Sequence, residues 1–128
     1  MSRVVLDASA LLAILYNEPG AEKLSPELLS GAACSTVNLA EVQTKLVSRG
    51  TDPDDAWRAA RSPIQDAVPF TSEQARIAGG LVGHTGSLGL SLGDRACLAV
   101  GIALKAPIYT ADRAWKNLKL DVRIHVVR

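Results

Sequence analysis

The chain has 128 residues, 48% of them apolar and 4% aromatic, and a net charge of +1. That length suits one ordinary domain that buries a core without disulfide staples, and the apolar content excludes a disordered chain. The near-neutral charge excludes a blanket polyanion binder, and no apolar run reaches the roughly 18 to 20 residues of a membrane helix.

The first element is Val4-Val5-Leu6, a short β-branched run that reads as a buried strand and ends at Asp7. The stretch before Asp7 is too short for a secretory leader, so a cytoplasmic setting is expected. Residues Ala8 to Tyr16 are helix-like and are stopped by Asn17-Glu18-Pro19-Gly20. Ala21 to Leu29 reads as a second short helix, and Ala32-Ala33-Cys34-Ser35 as a buried strand. Val37 to Arg49 is a clearer helix closed by Gly50. Asp52-Pro53-Asp54-Asp55 opens the next helix with a cap, a proline at its first position and acids in its first turn.

Ile64 to Phe70 is a strand candidate, and Thr71 or Ser72 caps a helix running to about Val82. A glycine-rich stretch from Gly83 to Gly89 is expected to be a mobile loop. Ser91 to Lys105 is a strongly apolar helix, ended by Pro107. Ile108-Tyr109-Thr110 is a short strand, and Asp112 to Leu118 a last helical turn or two. Val122, Ile124 and Val126 alternate with Arg123 and His125, the pattern of a half-exposed strand. Strands therefore alternate with helices along residues 1–128, which predicts a single α/β domain with a mainly parallel sheet covered on both faces.

In such sheets ligands bind beyond the carboxyl ends of the strands. Asp7 ends the first strand, Asp112 follows the Ile108–Thr110 strand, Asp94 lies in the first turn of the apolar helix, and Glu41 lies one turn into the helix after Cys34. Each has an ordinary explanation. Asp7 and Asp112 suit helix caps, Ser91-x-x-Asp94 has capping-box spacing, and Glu41 with Lys45 has the spacing of a helical ion pair. Together they are harder to dismiss. The Ser91–Lys105 helix is apolar almost all round, so Asp94 is expected in a crowded place where a lone carboxylate is costly. A bound cation resolves that cost, and an oxygen-only donor set suits Mg²⁺ or Mn²⁺, ions that support phosphodiester hydrolysis.

The residues in order resemble the PIN-domain family, and within it the VapC-type toxins of toxin–antitoxin pairs. Val5-Leu6-Asp7-Ala8-Ser9-Ala10 is similar to the family's opening strand and first acid, and Ser35-Thr36-Val37-Asn38-Leu39-Ala40-Glu41-Val42 to the helix with its second. Gly89 to Ala99 is similar to the segment with the third acid, Asp94, and Tyr109-Thr110-Ala111-Asp112-Arg113-Ala114-Trp115 to that with the fourth. The resemblance spans nearly the whole chain. It implies a three-layer α/β/α fold and Mg²⁺- or Mn²⁺-dependent endoribonuclease activity. By the same resemblance Asp7, Glu41, Asp94 and Asp112 are the catalytic and metal-binding acids, and Ser9, Asn38 and Thr110 orient them by hydrogen bonds. It also implies an RNA substrate, a small VapB-type antitoxin that blocks the cleft, and a homodimer.

The basic residues Arg95, Lys105, Arg113, Lys116, Lys119, Arg123 and Arg128 face only Asp112 and Asp121 in the C-terminal third. Arg95, Arg113 and Lys116 are accordingly the candidate RNA contacts, against the plain alternative of a solvated face. Other chemistries lack support. Cys34 and Cys97 read as buried thiols, with no C-x-x-C pair for zinc. His84 and His125 have no G-x-S-x-G partner, and the glycine-rich stretch matches neither nucleotide-binding fingerprint. A D-x-D phosphatase motif fails at Ser9, and Asp52, Asp54 and Asp55 are explained by capping. The alternative to the nuclease is a PIN-like module that grips RNA or protein without cutting it.

Overall fold

The computed structural model describes residues 2–128. Five short strands, β1 (Val4–Leu6), β2 (Ala32–Ser35), β3 (Asp66–Val68), β4 (Ile108–Thr110) and β5 (Ile124–Val126), form one sheet in the order β3-β2-β1-β4-β5. Every pairing is parallel, as the alternation of strands and helices requires. The order reverses between β1 and β4, so the sheet's switch point lies between them.

The pleat sorts the core. Val4 and Leu6 point to one face, with Leu11, Leu39 and Val42 from α1 (Ala8–Tyr16) and α3 (Thr36–Ser48), and with Ala56 and Ala60 from α4 (Pro53–Arg61). Val5 points to the other face and meets Ile108, Trp115 and the Cys97, Leu98 and Val100 stripe of α7 (Leu92–Leu104). Helix α5 (Ser72–Gly80) packs beside α7 through Ile77. The result is the three-layer arrangement the sequence predicts.

Two segments differ from expectation. Ala21 to Leu29 is not one helix. Ser25 caps a separate short helix, α2 (Pro26–Leu29), because Pro26 supplies no amide hydrogen to the turn before it. The glycine-rich stretch is not an open loop either. It forms α6 (Val82–Thr85) and a single tight turn over Gly86–Leu88. Leu81 and Thr85 are buried four residues apart, and the Thr85 hydroxyl donates to the Leu81 carbonyl at 3.0 Å, which holds the turn despite the glycines.

Register sets up the rim. Val5 pairs with Ile108 and Leu6 with Tyr109, so the next residue of β1, Asp7, comes level with Thr110 at the end of β4. On the other side Val5 pairs with Ala33, and β2 ends at Ser35, whose hydroxyl accepts from the Val37 amide and starts α3 at the same edge. No helix among the described residues is long and apolar enough to cross a membrane.

Candidate active site

Asp7 is the centre of the rim. It is 3% exposed, and its carboxylate oxygens are held from several directions. Oδ1 accepts from the Ala10 amide at 2.8 Å, which caps α1, and from the Ser9 hydroxyl at 2.8 Å. Oδ2 accepts from the Thr110 hydroxyl at 2.5 Å. Each hydroxyl has one proton, and both protons point at Asp7. Their lone pairs are used in turn: Ser9 Oγ accepts from the Ala111 amide at 2.9 Å, and Thr110 Oγ1 from the Asp112 amide at 3.0 Å. The network ties β1 to the chain leaving β4. Burial nevertheless dominates, and it pushes the Asp7 carboxyl up from 3.8 to about 6, against the opposing hydrogen bonds from Thr110, Ala10 and Ser9 and with a smaller contribution from the Asp94 charge.

Glu41 and Asn38 sit on α3, one turn apart, facing the start of α7. Asn38 Nδ2 donates to Glu41 Oε1 at 2.8 Å and to the Gly93 carbonyl at 2.9 Å. The Glu41 carboxylate rests against the backbone of Gly93, where a Cβ would come within 2.4 Å of Oε2. It therefore lies beside the start of α7, at the residue before Asp94, and the alternative ion pair with Lys45 does not form. Asp94 is half-buried, less crowded than its helix suggested. Its Oδ2 accepts from the Ser91 amide at 2.9 Å while Ser91 Oγ accepts from the Asp94 amide at 3.1 Å, a complete capping box. Asp112 is exposed, and its Oδ1 accepts from the Ala114 amide at 2.9 Å.

The structural explanations of Asp7, Asp94 and Asp112 are thus all realised, and the acids still share one edge. Among the described residues no three Asp, Glu, His or Cys groups stand close enough to hold a metal ion as they are. The donor chemistry fits a hard ion all the same. It is all oxygen, and Glu41 Oε2, Asp94 Oδ1 and Asp112 Oδ2 accept no hydrogen bond from the described residues. An ion that keeps much of its water needs only such loosely spaced carboxylates. Cys34 and Cys97 are buried free thiols, and burial holds both in the protonated form, so neither is a soft ligand.

The candidate RNA contacts separate. Arg95 is half-buried, and its Nη1 donates to the Ala78 carbonyl at 2.9 Å, which fastens α7 to α5. Arg113 is exposed and lines a cavity with Ser9, Asp112 and Arg128, beside the acids. Lys116 lines a different cavity, with Trp115 and His125 against β5. Sequence reasoning passed over Gly93, whose bare backbone lets Glu41 approach. It weighed Lys45 only as an ion-pair partner of Glu41 and did not single out Arg49, the cap of α3, although both continue the four-residue spacing from Glu41.

An open parallel sheet with acids gathered at its switch point defines a class of ligand-binding α/β domains. A family model described as the PIN domain matches residues 4–120, and the chain belongs to the PIN-domain family. Its fold is that of solved toxin–antitoxin proteins. Against a chain of the DNA-bound VapBC of Salmonella typhimurium the TM-score is 0.76 at 14% identity, with 100% of each chain covered. Against VapBC2 of Rickettsia felis, bound to a promoter DNA fragment, it is 0.72 at 18% identity, covering 96% of this chain and 97% of that one. Against VapC20 of Mycobacterium tuberculosis, a sarcin–ricin-loop-cleaving toxin, it is 0.70 at 19% identity, covering 94% and 98%. No curated protein matches the chain in sequence.

Proposed function

We propose that the chain is a VapC-type toxin, an endoribonuclease that hydrolyses RNA phosphodiester bonds with Mg²⁺ or Mn²⁺. The observation that carries this reading is Asp7, a buried carboxylate at the switch point whose ionised form is costly without a cation. Asp7, Glu41 and Asp94 would hold the ion, with Asp112 at the outer side. When bound, such an ion acidifies a water for attack on phosphorus and offsets charge on the phosphate. The chain's own residues orient the acids. Ser9 and Thr110 fix both oxygens of Asp7, and Asn38 fixes Glu41 against α7. Membership of the PIN-domain family and the likeness to VapBC structures support the assignment. The VapBC complexes among the similar structures support a VapB-type antitoxin as partner; under the same proposal it covers this rim, and the toxin acts in the cytoplasm as a homodimer.

Incubation of the purified protein with structured RNAs and Mg²⁺ or Mn²⁺ is expected to give defined cuts. EDTA, Asp7→Asn and Asp94→Asn are each expected to abolish them. Cutting that survives EDTA would remove the metal from the reading, and cutting by the Asp7→Asn protein would remove that residue. One observation favours a second reading, a PIN-like module that binds RNA or protein without cleaving: no three acids are preassembled as a metal cluster among the described residues. RNA binding with no cut product under either ion would select it.

A further inference from the structure

Beside the acids the surface opens into two adjoining clefts that share Ser9, Ala111 and Arg128. The first, of about 550 Å³, also takes in Arg113 and Asp112. The second, of about 190 Å³, runs between α1 and the end of α3 and is lined by Tyr16, Glu18, Lys45 and Arg49. Together they make one groove that starts at the hydroxyl holding Asp7.

The charges along it are ordered. Glu41, Lys45 and the C-cap residue Arg49 are spaced four residues apart, so they follow one another along a side of α3 and its end, at about 6 Å of axial rise for each four residues. Glu41 turns to Asn38 and Gly93, which leaves Lys45 without a carboxylate partner among the described residues. Arg49 has none either. Its guanidinium lies 4.6 Å over the ring of Tyr16, which fixes its position without neutralising it. Arg128 is brought to the groove by Val127, which is buried, donates its amide to the Thr110 carbonyl at 2.8 Å, and packs on the bare backbone of Gly20. Arg128 is partly offset by Glu18 at 3.5 Å, and both remain more than a third exposed.

We infer that an unpaired RNA strand enters the site along this groove, with its phosphates held by Lys45, Arg49 and Arg128. Cations lining one cleft, two of them about 6 Å apart, a stride of the same order as a strand's phosphate repeat, are what an electrostatic track for single strands requires. The inference rests on the reading of the rim as an RNA site, and it moves the main phosphate contacts away from Arg95, which is engaged in helix packing.

The test is the affinity of a short labelled oligouridine for the full-length protein in EDTA, at several salt concentrations, by fluorescence anisotropy. Lys45→Gln with Arg49→Gln is expected to weaken binding by about tenfold at low salt and to reduce the log–log salt slope by about 1.4, near 0.7 for each lost phosphate contact. Lys105→Gln with Arg123→Gln removes the same charge from the cavity at the opposite rim and is expected to leave both quantities unchanged. Equal losses in the two double variants, or wild-type binding by the first, would overturn the groove. Equal affinity for the base-paired duplex would overturn the single-strand assignment, and displacement by polyglutamate at RNA-like concentrations would reassign the groove to an acidic protein segment. The outcomes separate from those for the proposed function. Metal-dependent cutting with wild-type binding in the groove variant sinks the groove alone. Groove-dependent binding without cutting sinks hydrolysis alone.

Discussion

Gly93→Ala separates the stability of the fold from the arrangement of its acids. A Cβ at this position would stand 2.4 Å, 2.5 Å and 2.6 Å from Oε2, Oε1 and Cδ of Glu41, and no other atom is as close. Ordinary contact begins near 3.4 Å, so the carboxylate must retreat by about 1 Å. Glu41 is exposed and its carboxylate is held by Asn38 alone, so it can swing away and the backbone need not move. The retreat takes Oε1 beyond hydrogen-bonding range of Asn38, now 2.8 Å away, at a cost of about 1 kcal/mol. Replacing a helical glycine returns up to about 1 kcal/mol. The two offset each other, and the melting temperature is expected to stay within a few degrees of wild type. Activity is not protected by that balance. A displacement of about 1 Å in a positioned group costs on the order of 100-fold in rate. The assay is kcat/KM on a labelled RNA with Mn²⁺, paired with thermal melts in EDTA. Wild-type activity in a folded Gly93→Ala protein would refute the reasoning at the site. A loss of more than about 3 kcal/mol in stability would refute it at the fold, since the contact would then be borne by the backbone.

Gly101→Ala, in the same helix, is expected to behave oppositely. There a Cβ meets Ile108 Cδ1 at 2.5 Å and Cγ1 at 2.8 Å inside the core, so denaturant melts should show a loss of about 1–3 kcal/mol, and unchanged stability would contradict the packing between α7 and β4. Stability in EDTA should also depend on pH through Asp7. Its carboxyl is raised from 3.8 to about 6, so the folded state holds the proton more tightly than the unfolded chain does. The corresponding stability, about 3 kcal/mol, is present below pH 4 and lost as pH rises through 6. Urea melts between pH 4 and pH 7.5 should show that decline for wild type and a flatter profile for Asp7→Asn. Parallel profiles would show that Asp7 is not desolvated in solution.

What was legible in the sequence was whatever local chemistry decides. The Val4–Leu6 run is apolar at every position and could only be a covered strand, which placed Asp7 at an edge. Asp52 before Pro53, and Ser91 three residues before Asp94, announced helix starts that the structure contains. The misreadings arose where tertiary contacts outweighed local pattern. Glycines over 83–89 suggested an open loop, yet two buried side chains hold turns there. The Glu41–Lys45 spacing left a surface ion pair open as the ordinary alternative to a site role, but a carbonyl-bound Asn38 and a bare Gly93 offered Glu41 a better place. Asp94 was expected deeper than it lies, because its own cap turns it back toward Ser91. The role of Gly93 depends on a distance between two separate helices, and no window of sequence contains that distance.

Asp7 and Asp112 each cap a helical segment with one oxygen on a backbone amide, and Asp94, in the first turn of α7, accepts in the same way from the amide of the cap residue Ser91. The aim of each acid is thus set by the main chain before any ligand arrives. Truncation to alanine would damage scaffold and chemistry at once, whereas asparagine at Asp7 and Asp112 retains a cap of nearly equal strength. An inactive bait for trapping partners is therefore best made by amide replacement, and an alanine scan of this rim would misreport frayed helices as lost function.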